Sequence, residues 1–135
     1  MNDLISRIAN AIFRQEGEGP AHQNPGNLRS APWLKGTQYG VVTSSAGGFW
    51  CPTSRAQGMA GAAHVVALHI AQGDSLSELI GGRKADPAHG VVAYAGWAPS
   101  SDGNDTAAYI KNVAQWAGIP DVNLPLWNFI TDPVT

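Results

Sequence analysis

The chain has 135 residues, enough for one compact domain with a sizeable core and too few for two. Hydrophobic residues make up 44% and charged residues 13%, about half the charged share usual in a soluble domain, so much of the surface is uncharged and polar. A net charge of −2 with no block of like charge leaves no electrostatic case for nucleic acid or an anionic membrane, and is compatible with a saccharide.

The first predicted helix covers residues 3–16, with Asn2 or Asp3 as its N-cap. Its apolar positions Leu4, Ile8 and Ile12, flanked by Ile5, Ala9 and Phe13, recur with helical period and run into Glu16. Gly17 and then Gly19-Pro20 stop the helix, so Glu16 falls in its last turn beside a loop. Desolvation and the helix C-terminal dipole both disfavour the negative form of a carboxyl there, which suits a general acid. The other reading of Glu16 is a helix-end glutamate paired with an arginine. Glu18, four residues after Arg14, reads as a solvated helix-end partner.

Residues 17–36 are loop by composition, pinned by Leu28, Trp33 and Leu34, and a long ordered loop in a small domain is usually functional. Residues 37–43 and 48–51 read as a short β-hairpin. Ser54 with Gln57 forms a capping box for a central helix that ends at Gln72, with Gly73 as its stop. Its Ala and Gly content predicts that neighbours approach closely and cover it on most sides. Ser75 with Glu78 caps a short helix ending at Gly81-Gly82, and residues 91–97 are expected to form another, stopped by Pro99. Residues 100–104 are a loop, and Asp105-Thr106 cap a helix over 107–117 that Gly118 and Pro120 end. The apolar tail 124–130 is expected to dock on the body. These elements make an α+β, mostly helical single domain over 1–135 with a small β-hairpin.

The lone Cys51 excludes an intrachain disulfide. Asp3, Arg7 and Arg14 interrupt the N-terminal apolar pattern, so it does not read as a signal peptide. No stretch approaches the ~20 apolar residues of a membrane span. His64 and His69 stand on different faces of the central helix with no ligand cluster beside them, and neither a metal nor another cofactor is expected. No serine-hydrolase signature or phosphate loop is present. Asp102 and Asp105 read as a turn former and a helix cap. Between Glu18 and Asp74 there is no Asp or Glu, so a cleft wall built from that segment brings no second carboxylate, whereas the usual glycosidase needs two.

Several motifs in consistent order over residues 5–118 resemble a lysozyme-like phage family of peptidoglycan-degrading domains related to lytic transglycosylases. They are Glu16-Gly17, then Asn24-Pro25-Gly26-Asn27-Leu28-Arg29, Phe49, and the Gly/Ala-rich helix. Trp97-Ala98-Pro99 and Asn104-Asp105-Thr106 with Tyr109-Ile110 follow. Two features depart from the usual pattern: the longer spacing over 81–96 and the second acid at Glu18. The resemblance implies a lysozyme-like fold with Glu16 catalytic at the end of the first helix. It also implies that Asn27, Trp97, Asn104 and Tyr109 line or support the cleft. The implied activity is cleavage of the β-1,4 bond between N-acetylmuramic acid and N-acetylglucosamine by a lytic transglycosylase using one Glu. The protein would be made in the host cytoplasm and act in the periplasm or cell wall, as an endolysin or alongside other virion proteins. Two alternatives stand beside it. One is a hydrolytic muramidase, with Thr43, Ser44 or Ser45 positioning a water or with Asp102 or Asp105 as base. The other is a non-catalytic virion structural or peptidoglycan-binding protein.

Overall fold

A computed structural model of the chain describes residues 2–17 and 54–130. The expected loop, the β-hairpin, Glu18, Asn27 and Phe49 lie outside the described residues. What is described is mostly helical.

Helix α1 spans Asn2–Gln15. Its stripe of Leu4, Ile8 and Ile12 is fully buried, with Ala9, Ala11 and Phe13 beside it. Because the helix already includes Asn2, Asp3 is not its cap but an acid in its first turn, where the dipole favours a negative charge. There it accepts a hydrogen bond from Arg7 Nε at 2.9 Å. The C-terminus falls where Gly17 predicts: the Glu16 N–H still bonds to the Ile12 carbonyl at 2.9 Å, and Gly17 takes φ +82.

Helix α2 spans Arg55–Ala71, with the Ser54 hydroxyl accepting the Gln57 N–H at 3.1 Å. It is buried along one face, through Gly58, Gly61, Ala62, Val65, Val66, His69 and Ile70. The expectation that it is covered on most sides is not met, since Met59 and Leu68 are exposed. Its small residues allow close approach on the buried face alone. Ala62 and Val65 pack against Ala9 and Phe13 of α1, while Val66 and Ile70 join the larger core.

Helix α3 spans Leu76–Gly81 behind a reciprocal capping box, with Ser75 Oγ accepting from the Glu78 N–H and Glu78 Oε1 from the Ser75 N–H. The helix expected over 91–97 does not form. Arg83 pairs with Tyr94 and Asp86 with Val91 in antiparallel bridges, around a short 3₁₀ turn at Pro87–His89. Val91 and Val92 favour extended backbone, and glycines at 90 and 96 leave too few residues between them for a stable helix. Gly96 takes φ +100, and a Cβ there would stand 2.6 Å from the Ile80 carbonyl oxygen. This close approach lets the N–H groups of Trp97 and Ala98 satisfy the Leu79 and Ile80 carbonyls at the end of α3.

Helix α4 spans Thr106–Ala117, capped by Asp105, whose Oδ1 accepts the Ala108 N–H at 3.1 Å, and ended by Gly118 in the left-handed region. It buries Tyr109, Val113, Ala114 and Ala117. Helix α1 packs between α2 and α4, and α3 packs on α4. The tail docks through Leu126, fully buried in a 3₁₀ turn at Leu126–Phe129, although Trp127 stays half exposed. Arg7 fastens these parts: its Nη1 donates to the Ala117 carbonyl at 2.7 Å, completing the end of α4, and its Nη2 donates to the Phe129 carbonyl at 3.4 Å.

Candidate functional site

Three contacts between the end of α1 and one face of α4 fix the position of Glu16. The Arg14 guanidinium lies over the Trp116 ring, 4.2 Å from its centroid. Asn112 Nδ2 donates to Gln15 Oε1 at 3.1 Å. The Tyr109 hydroxyl donates to Glu16 Oε2 at 2.9 Å, across 93 positions of sequence.

Tyr109 is 4% exposed, so its ring is part of the core and only its oxygen serves the carboxylate. Burial first, then the charge and hydrogen bond of Glu16, push its pKa far above the ordinary phenol range. The phenol therefore remains a neutral O–H donor. Glu16 is half-buried. A half-buried acid held by a fixed donor can give up a proton and have the resulting charge stabilised in place.

Of the other residues named from the sequence, Trp97 and Asn104 are among the described residues and Asn27 is not. Trp97 is partly buried and packs against both core clusters, so it spans the seam between α1 with α2 and the rest of the core. Asn104 is exposed, and its Nδ2 donates to the Pro99 carbonyl at 3.1 Å. With Thr106 Oγ1 donating to the Ala98 carbonyl at 2.7 Å, it ties the Trp97-Ala98-Pro99 segment to the start of α4. Asn104 thus supports a loop. Asp105 is committed to capping α4, and Asp102 ends an exposed 3₁₀ turn at Ser100–Asp102.

A second polar cluster, outside every motif named above, gathers around Asp74. Asp74 is 4% exposed and receives Arg83 Nη1 at 2.5 Å and His69 Nδ1 at 2.6 Å on the same oxygen. The Tyr94 ring lies 4.4 Å from the His69 ring, and its hydroxyl donates to the Leu79 carbonyl. One local signal was present: Gly73, at φ +83, turns the chain so that the Asp74 N–H bonds to the His69 carbonyl, which returns the acid to the histidine. Arg83 arrives through the pairing with Tyr94, which no local pattern announces.

No protein-family model, curated protein or solved structure matches this chain. The case for a function rests on the residues themselves.

Proposed function

We propose that this chain degrades peptidoglycan, cleaving the β-1,4 bond between N-acetylmuramic acid and N-acetylglucosamine as a lytic transglycosylase with Glu16 as its acid and base. The observation that carries the reading is the Tyr109 hydroxyl on the Glu16 carboxylate at the end of α1. It joins two residues that the lysozyme-like resemblance names independently.

In this reading protonated Glu16 gives its proton to the glycosidic oxygen as the bond to C1 of the muramic acid breaks through an oxocarbenium-like state. The Tyr109 hydrogen bond strengthens as Glu16 becomes charged. The carboxylate then takes the proton of the muramic acid's own 6-hydroxyl, whose oxygen closes on C1 to form a 1,6-anhydro ring, and Glu16 is again protonated. No second carboxylate is needed, in keeping with the absence of Asp and Glu from 19–73 and with the commitment of Asp105 to its helix cap. Among the described residues no helix is long and apolar enough to cross a membrane. We place the protein in phage entry or host lysis, as a virion component or an endolysin.

The test is Glu16→Gln, which keeps the shape and removes the transferable proton. It should fold normally and lose about 10²–10⁴-fold in wall-lytic rate. Mass spectrometry of the products separates anhydro ends from reducing ends by one water. Undiminished clearing by the variant would remove Glu16 from the chemistry. Predominantly reducing ends would replace the transglycosylase with a muramidase.

A further inference from the structure

The Asp74 cluster opens on a cavity that the Glu16 chemistry does not use. Its volume is about 420 Å³, and its walls include Val65, Leu68, Val92 and Ala93 with His69 and Gln72. Asp74 lines a neighbouring cavity and not this one. His69 lines this cavity, and because Asp74 takes its Nδ1, Nε2 is the ring nitrogen left for a ligand.

The protonation pattern of that ring follows from its surroundings. Asp74 Oδ2 requires a donor, so Nδ1 carries the hydrogen. Burial lowers the His69 pKa against the opposing pull of Asp74, so the ring is neutral and Nε2 presents a bare lone pair. Nε2 has no hydrogen-bond partner among the described residues, and His69 is only 8% exposed. A buried acceptor of this kind calls for a donor.

Gln72 supplies the complementary group. Its Oε1 accepts from Arg83 Nη2 at 3.3 Å, which leaves its amide N–H₂ with no partner among the described residues. Arg83 is itself spent, on Asp74, Gln72 and the Val92 carbonyl. Among the described residues the cavity thus offers one acceptor, one donor and apolar walls, beside the Arg83 guanidinium, whose charge is paired with Asp74.

We propose that this cavity binds the acetamido group of an N-acetylated amino sugar. The amide N–H donates to His69 Nε2, the carbonyl accepts from Gln72, and the methyl rests on Val65, Leu68 and Val92. A simple alcohol can pair with both groups but brings no methyl to the apolar wall. A carboxylate would set its charge against the Nε2 lone pair. The choice of a sugar as carrier rests on the glycan reading of Glu16, whereas the fit to an acetamido group does not. The Tyr94 ring, 4.4 Å from the His69 ring, forms a further part of the cavity wall.

The experiment is a titration of the ¹⁵N-histidine-labelled protein, followed at His69 Nε2 by NMR. N-acetylglucosamine should move that resonance saturably, glucosamine and acetate should not, and N-acetylalanine amide should bind more weakly. Val92→Trp, at a side chain 73% exposed, fills the mouth without disturbing the core. It should weaken N-acetylglucosamine binding at least about tenfold with an unchanged melting temperature. An equal response to glucosamine, a stronger response to N-acetylalanine amide, or unaltered affinity in Val92→Trp overturns the proposal. Wall lysis without a His69 response likewise removes the cavity and leaves Glu16 in place. A saturable His69 response in a protein that does not lyse walls supports the cavity and removes the Glu16 reading.

Discussion

Tyr109→Phe deletes one oxygen atom and isolates the contact on which the proposed activity depends. The ring is 4% exposed and belongs to the core, so phenylalanine keeps its packing. The lost bond is the 2.9 Å donation to Glu16 Oε2. Hydrogen bonds contribute about 0.5–1.5 kcal/mol between neutral groups and about 1.5–3 kcal/mol to a charged one. As Glu16 passes from protonated to ionised in the transition state, the bond gains about 1–1.5 kcal/mol, or about tenfold in rate. The variant should therefore clear purified sacculi about tenfold more slowly in a turbidity assay, far less than the loss in Glu16→Gln. Its melting temperature should fall by about 4 °C for each kcal/mol of the bond lost to the folded state. Full activity combined with a lowered melting temperature would refute the reasoning, because the hydrogen bond would then be structural only.

Three other outcomes follow from the same structure. Gly96→Ala must place a methyl 2.6 Å from the Ile80 carbonyl oxygen at φ +100; it should destabilise by at least about 2 kcal/mol, read from the urea midpoint, and an unchanged midpoint would contradict the close approach. His69 has a folded-state pKa below its ordinary 6.5, so its contribution to stability is complete above that pH and is lost as pH falls through the folded value; among the groups facing it, Asp74 opposes the shift and Arg83 adds to it. Wild type should accordingly lose melting temperature on acidification more steeply than His69→Gln, and parallel curves would refute the assignment. If the proposed activity holds, the Glu16→Gln variant should sediment only weakly with sacculi, because a single site binds without avidity; tight, saturable binding would favour the non-catalytic wall-binding alternative.

The helices were legible where local chemistry sets them. The period of Leu4, Ile8 and Ile12, the Ser75-Glu78 capping box, and Asp105 with Gly118 each act within a few residues, and α1, α3 and α4 fall where those signals place them. Residues 91–97 misled because their extended form depends on Arg83 and on a glycine pressed against the end of α3, contacts that no local window contains. Glu16 was singled out as an acid on an apolar stripe, but its tyrosine came only through the family resemblance, since nothing local links positions 93 apart. His69 read as an isolated histidine because its acid lies just past the helix stop and its arginine arrives from a different segment.

The clamp made by Arg7 bears on how the protein is synthesised. Arg7 and the Ala117 carbonyl it holds are 110 positions apart, and at about 5–20 residues per second the ribosome needs roughly 5–20 s to make that interval. Throughout it, α1 exists with its Leu4, Ile8 and Ile12 stripe but without α4, the helix it packs on most. A helix of 14 residues is marginal by itself in water. The nascent chain can therefore cover α1 only in part, through α2, until nearly all of the described fold has emerged, so folding closes late, around the helix that ends next to Glu16.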